Sequence, residues 1–296
     1  MNTNIAQQAA AHGQNELTES IIYGKLAAKE KNPQNRALLE KMANEEQGHY
    51  QFWKSLSNGL EIKPRTPGVY LVPALCSLLG VTFTTKFLEK HEETSIKNYQ
   101  EILSQIPDSH KAGLEKIIAD EQGHEKSLLG QLQEKRVEYI SFVALGLSDA
   151  IVEITGVHAG FLGVTGTPLI AGVAGIIVGV SAAISMGSAA YIQAKHEQLR
   201  SAFVSAMTTG FSYLGSVVVL ALPYFFLHEM FRAFAVSTIL GILLLAAFTF
   251  YGSVVFDRKF WRELGESAGL MLGTAVVTFF VGRIVGGLFH IDTAKF

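Results

Sequence analysis

The chain has 296 residues, 49% hydrophobic and only 17% charged, with a mean hydropathy of +0.27, whereas a soluble protein carries about 25% charged residues. A net charge of −2 provides no basic field for nucleic acid. The single cysteine, Cys76, excludes an internal disulfide framework, a Cys-rich zinc site and a four-cysteine iron centre.

The averages hide two different halves. Residues 1–136 hold 17 Asp/Glu and 16 Lys/Arg, and residues 137–296 hold 9 and 8. The division predicts an all-α protein: a water-facing domain over 1–136 and a membrane domain over 137–296. The start, MNTNIAQQAAAHG, has no basic region followed by an apolar one, so no cleavable signal is expected.

Along the first half, apolar residues recur at helical spacing in ESIIYGKLAAKE, NRALLEKMANEEQGHYQFWKSL, VTFTTKFLEKHEETSIKNYQEIL and KAGLEKIIADEQGHEKSLLGQL. Breaks fall at Asn32-Pro33, between Gly59 and Gly68, and at Ile106-Pro107. Four helices in two hairpins with a long middle connection make a four-helix bundle. The fourth runs toward the membrane half without a proline, which predicts a rigid coupling of the two.

The chemistry sits in a repeat. NEEQGH ends at His49 and ADEQGH at His124, so Glu46 pairs with His49 and Glu121 with His124 at a spacing of three, which puts each pair on one helical face. One E-x-x-H arises readily by chance; two, each in a helical run, do not. Each is preceded by a Glu-bearing helix of matching geometry, with Glu16 seven residues before Tyr23 and Glu92 seven before Tyr99. Two Glu helices and two Glu-x-x-His helices are the ligand set of a di-iron or di-manganese carboxylate bundle. Glu19 and Glu89 lie one turn from the best positions and are additional candidates. Glu93 and Asp120 read as surface charge, and His12, His91 and His110 lack partner spacing and read as exposed.

In the second half five apolar stretches reach the roughly 20 residues needed to cross a bilayer: Glu138 to Thr165, Pro168 to Ile192, Ser201 to Leu227, Ala233 to Phe256 and Ser267 to Phe289. The middle three contain no charged residue, and 19 of the 28 glycines fall in this half, which suits close helix packing in lipid. Lys195 and Arg200, then Arg258, Lys259 and Arg262, occupy two connections on one side, against Arg232 and Lys295 on the other. The positive-inside rule therefore places the N-terminal half in the cytosol and the C-terminus outside. Span one carries Asp149 and Glu153 on one face, where carboxylates normally line a polar path or pair with a base such as Arg283. A carboxylate binds a divalent cation or a proton competitively, so such a path can exchange the two. Met186 is a candidate soft ligand that favours a transition metal, and Glu138 and His158 are candidates for the two mouths of the path.

At these residues the chain resembles known families. Residues 1–136 look like the rubrerythrin branch of the ferritin-like superfamily, with Glu16, Glu46, His49, Glu92, Glu121 and His124 on motif positions and Glu89 completing an E-x-x-E. The remainder is similar to the vacuolar iron transporter family, through GLSDAIVEITG in span one, AISMGSAAY in span two and LPY in span three. The order resembles membrane-bound ferritins, the erythrin–vacuolar iron transporter fusions of prokaryotes. The resemblance implies a homodimer in a prokaryotic cytoplasmic membrane that exports Fe²⁺, or Mn²⁺, in exchange for protons, with a di-iron bundle that captures, senses or oxidises iron. Rubrerythrins carry a Cys-rich electron-transfer domain that this sequence does not contain, and only KHEQLRS stands between spans two and three where plain iron transporters carry a Glu-rich insertion, so the resemblance implies that the N-terminal bundle replaces it as the metal-collecting part. The rival reading is a membrane-anchored ferroxidase.

Overall fold

The computed structural model describes residues 3–90, 92–123, 132, 135–197 and 201–289, and among them every regular element is an α-helix. The chain divides into two compact units, 1–135 and 136–296.

The first unit contains α1 (Thr3–Lys29), α2 (Pro33–Leu56), α3 (Thr66–Leu79), α4 (Val81–Glu89), α5 (Glu92–Leu103) and α6 (Asp108–Gly123). The hairpin between α1 and α2 is set by local chemistry. Asn32 Oδ1 accepts from the amides of Gln34 at 2.9 Å and Asn35 at 3.4 Å, Pro33 stands at the first helical turn, and the Arg36 guanidinium donates to Glu30 O at 2.6 Å. A side-chain cap and a proline that has no amide to satisfy start the helix within a three-residue turn, and α1 and α2 pack along most of their length. The stretch expected to be a bare connection holds α3, and the single helix expected over 81–103 is two, α4 ending at Glu89 and α5 starting at Glu92. Gly80, at φ +92°, makes the corner between α3 and α4, a backbone region that a side chain would strain.

Two apolar cores occupy the bundle. One gathers Ile5, Ala9, Trp53, Leu56, Tyr99 and Leu114 with their neighbours; the other gathers Ile22, Tyr23, Leu26, Leu39, Met42 and Val81. On α1 the residue between Ala9 and Ile22 that is buried and acidic is Glu16, and on α2 Glu46 and His49 lie between Met42 and Trp53. A polar layer is therefore held between two apolar ones.

The second unit contains α7 (Lys135–Val164), α8 (Pro168–His196), α9 (Ala202–Phe226), α10 (Met230–Val255) and α11 (Phe260–Leu288), each with a stretch long and apolar enough to cross a membrane. The fifth starts at Phe260, two turns earlier than its apolar run, so Arg262 lies on the helix rather than in the connection. Small residues set the spacing of the helices. A Cβ on Gly282 of α11 would stand 2.1 Å from Gly160 O of α7, and one on Gly163 would stand 2.5 Å from Phe279 O, so only glycine permits this crossing. Ser237 of α10 donates to Leu220 O of α9 at 2.8 Å, and Thr209 of α9 to Phe142 O of α7 at 3.2 Å, hydroxyl links of the kind that hold helices together in lipid.

Candidate metal centre

Three helices that are distant in sequence deliver one cluster: Glu16 from α1, Glu46 and His49 from α2, and Glu121 from α6. One potential ligand atom from each lies within 4.8 Å of all the others. All four side chains are buried, none more than 4% exposed. His49 Nδ1 lies 2.9 Å from a Glu121 oxygen, 3.2 Å from Glu46 and 3.8 Å from Glu16. The i,i+3 spacing of Glu46 and His49 points both inward from one turn of α2.

Burying like charges together is costly, and the protonation of the cluster shows how the cost is met. Burial pushes the Glu46 carboxyl well above the usual carboxylate range; its hydrogen bond with His49 pulls it back, and the Glu121 and Glu16 charges push it further up. Burial alone would lower the His49 imidazole, but hydrogen bonds to Glu121, Glu16 and Glu46 hold it far above its ordinary value. Protons on Glu46 and His49 thus offset part of the charge that a divalent cation would offset instead. Three carboxylates and one imidazole are hard and borderline donors, the set that Fe²⁺ and Mn²⁺ accept.

Hydrogen bonds around the cluster repeat across the bundle. Tyr99 of α5 donates to Glu16 Oε1 at 2.5 Å, and Tyr23 of α1 donates to Glu89 at the end of α4. The two bonds cross the bundle in opposite directions, but the second falls on Glu89 of α4, three residues before Glu92, the position that the repeat in the sequence matches to Glu16. Glu89 is 4% exposed, while Glu19 is half-buried and lines a cleft with Arg65, Pro67, Val72 and Leu88 apart from the four-residue cluster. His124 lies outside the described residues, as do the side chains of Glu92 and Glu93, residue His91, and the segment on which continuity between bundle and span one depends.

Two of the residues read as surface groups meet side chains of other helices. Asp120 Oδ2 stands 3.5 Å from His49 Nε2, on the opposite edge of the ring from the cluster, which is where an orienting carboxylate belongs beside a metal-binding histidine. The missed signal is the second acid of ADEQGH, one residue before Glu121. His12 packs between Trp53 and Tyr99, with ring centroids at 4.9 and 4.8 Å, and burial pushes its imidazole down against the opposing pull of Glu16. His110 is half-buried, 6.2 Å from the Phe52 ring. Asp120 and His49 also line a cavity of about 760 Å³ between α2 and α6, with Glu40, Lys41, Glu45 and Lys116 around its rim.

In the second unit Asp149 and Glu153 are half-buried, one turn apart on α7. Glu153 Oε2 accepts from Tyr213 OH at 2.5 Å, and Met186 packs on the cluster of Ala150, Ile154 and Tyr213. Among the described residues Arg283 forms no ion pair with either carboxylate and is exposed. His158 is fully buried with its ring centroid 4.1 Å from that of Tyr224, so it is enclosed by helices rather than standing at a mouth. The Glu138 side chain is outside the described residues.

No curated protein matches the chain. The rubrerythrin family model matches residues 14–132, which contain Glu16, Glu46, His49 and Glu121 and stop before the apolar half. Residues 14–132 are thus a ferritin-like rubrerythrin domain with a buried Glu/His cluster suited to a metal, followed by five long apolar helices.

Proposed function

We propose that the protein exports ferrous iron across a prokaryotic cytoplasmic membrane, taking protons in exchange, and that its cytosolic bundle collects the ion as a di-metal site. The observation that carries this reading is the union in one chain of a buried Glu/His cluster with a span bearing two carboxylates, Asp149 and Glu153, that no described arginine or lysine neutralises. A pure anchor needs one apolar helix and no intramembrane acid. An acid in a span is expensive unless it lines a path.

In this reading Glu16, Glu46, His49 and Glu121, together with Glu89, Glu92 and His124, hold iron in the bundle, and Tyr99 and Tyr23 fix the carboxylates that face them. Asp149 and Glu153 bind Fe²⁺ or H⁺ in turn, Tyr213 orients Glu153, and Met186 biases the path toward a transition metal. Asp149 is only half covered within one chain, which supports a homodimer in which a second copy shields it from lipid. Lys195 in the last turn of α8, with Arg258 and Lys259 between α10 and α11, supports a cytosolic bundle and an outer C-terminus.

Proteoliposomes holding the full chain test this. Under an imposed pH gradient, Fe²⁺ should move faster than Mn²⁺ and should carry protons the other way. The variant Asp149→Ala should abolish the flux and leave the iron content of the bundle unchanged. Iron flux that survives Asp149→Ala, or cells bearing this variant at equal protein level that resist iron overload like wild type, would overturn export and leave the chain as a membrane-anchored ferroxidase.

A further inference from the structure

The connecting helix α3 does not fit a bundle surrounded by water. Among the described residues of the first unit, the large apolar side chains that stand exposed all fall between Leu60 and Leu78: Leu60 at 45%, Tyr70 at 68%, Leu71 at 59%, Leu75 at 40% and Leu78 at 74%. Within α3 they form one stripe, because Tyr70 and Leu71, Ala74 and Leu75, and Leu78 follow each other at the spacing of successive turns. The opposite face of the helix, Val69 and Pro73, is buried on the bundle. From Thr66 to Val81 there is no charged residue.

An apolar helix of 10 to 14 residues is either a core helix or an interfacial one. The exposure of its outer stripe removes the first possibility. The charges beside the helix specify the second: Lys25 donates its ammonium to Val69 O at 3.2 Å and lies 4.1 Å over the Tyr70 ring, and Arg65 is exposed at the N-cap. Cations and an aromatic ring along the edge of an apolar stripe are the marks of a helix lying in the headgroup boundary of an anionic bilayer.

We propose that α3 docks the bundle onto the surface of the membrane that holds the five C-terminal helices, with Tyr70, Leu71, Leu75 and Leu78 among the acyl chains and Lys25 and Arg65 at the lipid phosphates. Two further observations favour lipid over a second copy of the chain. A helix of 14 residues offers a face about 21 Å long and 10–12 Å wide, on the order of 250 Å², where a standard protein interface takes about 800 Å² from each partner. The bilayer, in contrast, is within reach by covalent connection: only 15 residues separate Gly123, where α6 ends, from Tyr139, where the first candidate span starts, at most about 3.5 Å each when extended.

Docking would bear on the metal centre through the backbone. The amide of Arg65 donates to Thr18 Oγ1 at 2.9 Å, two residues from Glu16 on α1, and α3 turns through Gly80 directly into α4, which ends at Glu89. A helix held by lipid at its outer face thus fixes two of the helices that carry buried carboxylates.

The test uses the full chain in phosphatidylethanolamine/phosphatidylglycerol proteoliposomes, with the single native cysteine removed as Cys76→Ala. Bimane is attached in turn at Leu71→Cys, Leu75→Cys and Leu78→Cys, at Glu40→Cys and Glu115→Cys on exposed positions of α2 and α6, and at Val277→Cys on the exposed face of α11 to set the value for a lipid-facing site. Lipids bearing a doxyl quencher should reduce the emission at the three α3 positions toward the Val277 value, several-fold more than at Glu40 or Glu115. Adding Leu71→Asp and Leu75→Asp should return the Leu78 label to the level of Glu40 with helical content unchanged. Equal quenching at α3 and at Glu40 and Glu115 overturns the proposal. So does an unlabelled Leu71→Cys variant that an added oxidant joins into a disulfide between copies while its bimane-labelled form ignores the doxyl lipid, because a second copy then covers the stripe.

Discussion

The two units are built inside out relative to each other. The bundle buries its bulk, Trp53, Leu39, Met42, Leu56 and Leu114, and encloses four carboxylates at 0 to 4% exposure. The apolar unit buries, beside Tyr213, Tyr224, Ile151 and Leu220, a series of small residues, Ala171, Ala183, Ala190 and Ala194 with Gly172 and Gly187, and turns Ile177, Ile184, Phe211 and Phe280 outward at 60% exposure or more. In water, helices associate because large apolar side chains leave the solvent. In lipid that drive is absent, and close backbone approach with hydroxyl links takes its place. The acids follow the same division: the bundle can bury a charged cluster because protons or a cation neutralise it, whereas the single chain of the second unit leaves Asp149 half-covered.

The largest expected effect lies in the bundle. Replacing Glu46 and Glu121 together by Ala removes two of the four clustered ligands, and the purified full chain, loaded with iron and desalted, should retain none in the bundle by elemental analysis. Unchanged iron content would mean that the cluster does not bind it.

The corresponding break in the apolar unit is steric. Gly282→Leu drives a side chain into the Gly160 carbonyl, and overpacking of this kind costs about 1–3 kcal/mol or more. The unfolding transition of the second unit in detergent should shift down while iron binding by the bundle is retained. A transition left in place would show that the contact between α7 and α11 yields easily.

A smaller effect sharpens the account of the site. Asp120→Ala leaves His49 without its outer carboxylate, and loss of such a partner typically weakens metal affinity by about 10–100-fold without unfolding the protein. Titration of the apo chain with Mn²⁺, followed calorimetrically, measures this directly; an affinity equal to wild type would return Asp120 to a surface role.

The smallest signal is in protons. Glu46 and His49 both have folded values raised above their ordinary 4.5 and 6.5. The stability each contributes to the metal-free bundle is fully present below those ordinary values and is lost as pH rises through the higher folded ones. A cation must displace the protons the cluster holds, so Mn²⁺ binding in weak buffer should acidify the solution by about one to two protons per site, and the apparent affinity should climb with pH. Binding with no proton release would contradict the protonation read from the geometry.

Much of this molecule was legible in one dimension, for identifiable reasons. The Glu46/His49 pair could be read because residues three apart on a helix share a face whatever surrounds them, and the five apolar helices because lipid tolerates little besides long apolar runs. What one dimension could not show depended on other helices. Asp120 looked like surface charge because its partner, the far edge of the His49 ring, belongs to α2, and His12 looked exposed because Trp53 and Tyr99 come from α2 and α5. The helix α3 falls in the long middle connection expected after the break between Gly59 and Gly68; its buried inner face, Val69 and Pro73, supplies the packing that keeps it helical. Spacing along a chain thus determined which residues could act as a pair and which helices could enter lipid. Which carboxylates share one site, and which histidine edge meets which acid, was decided only by the packing of helices, because those contacts join residues tens of positions apart.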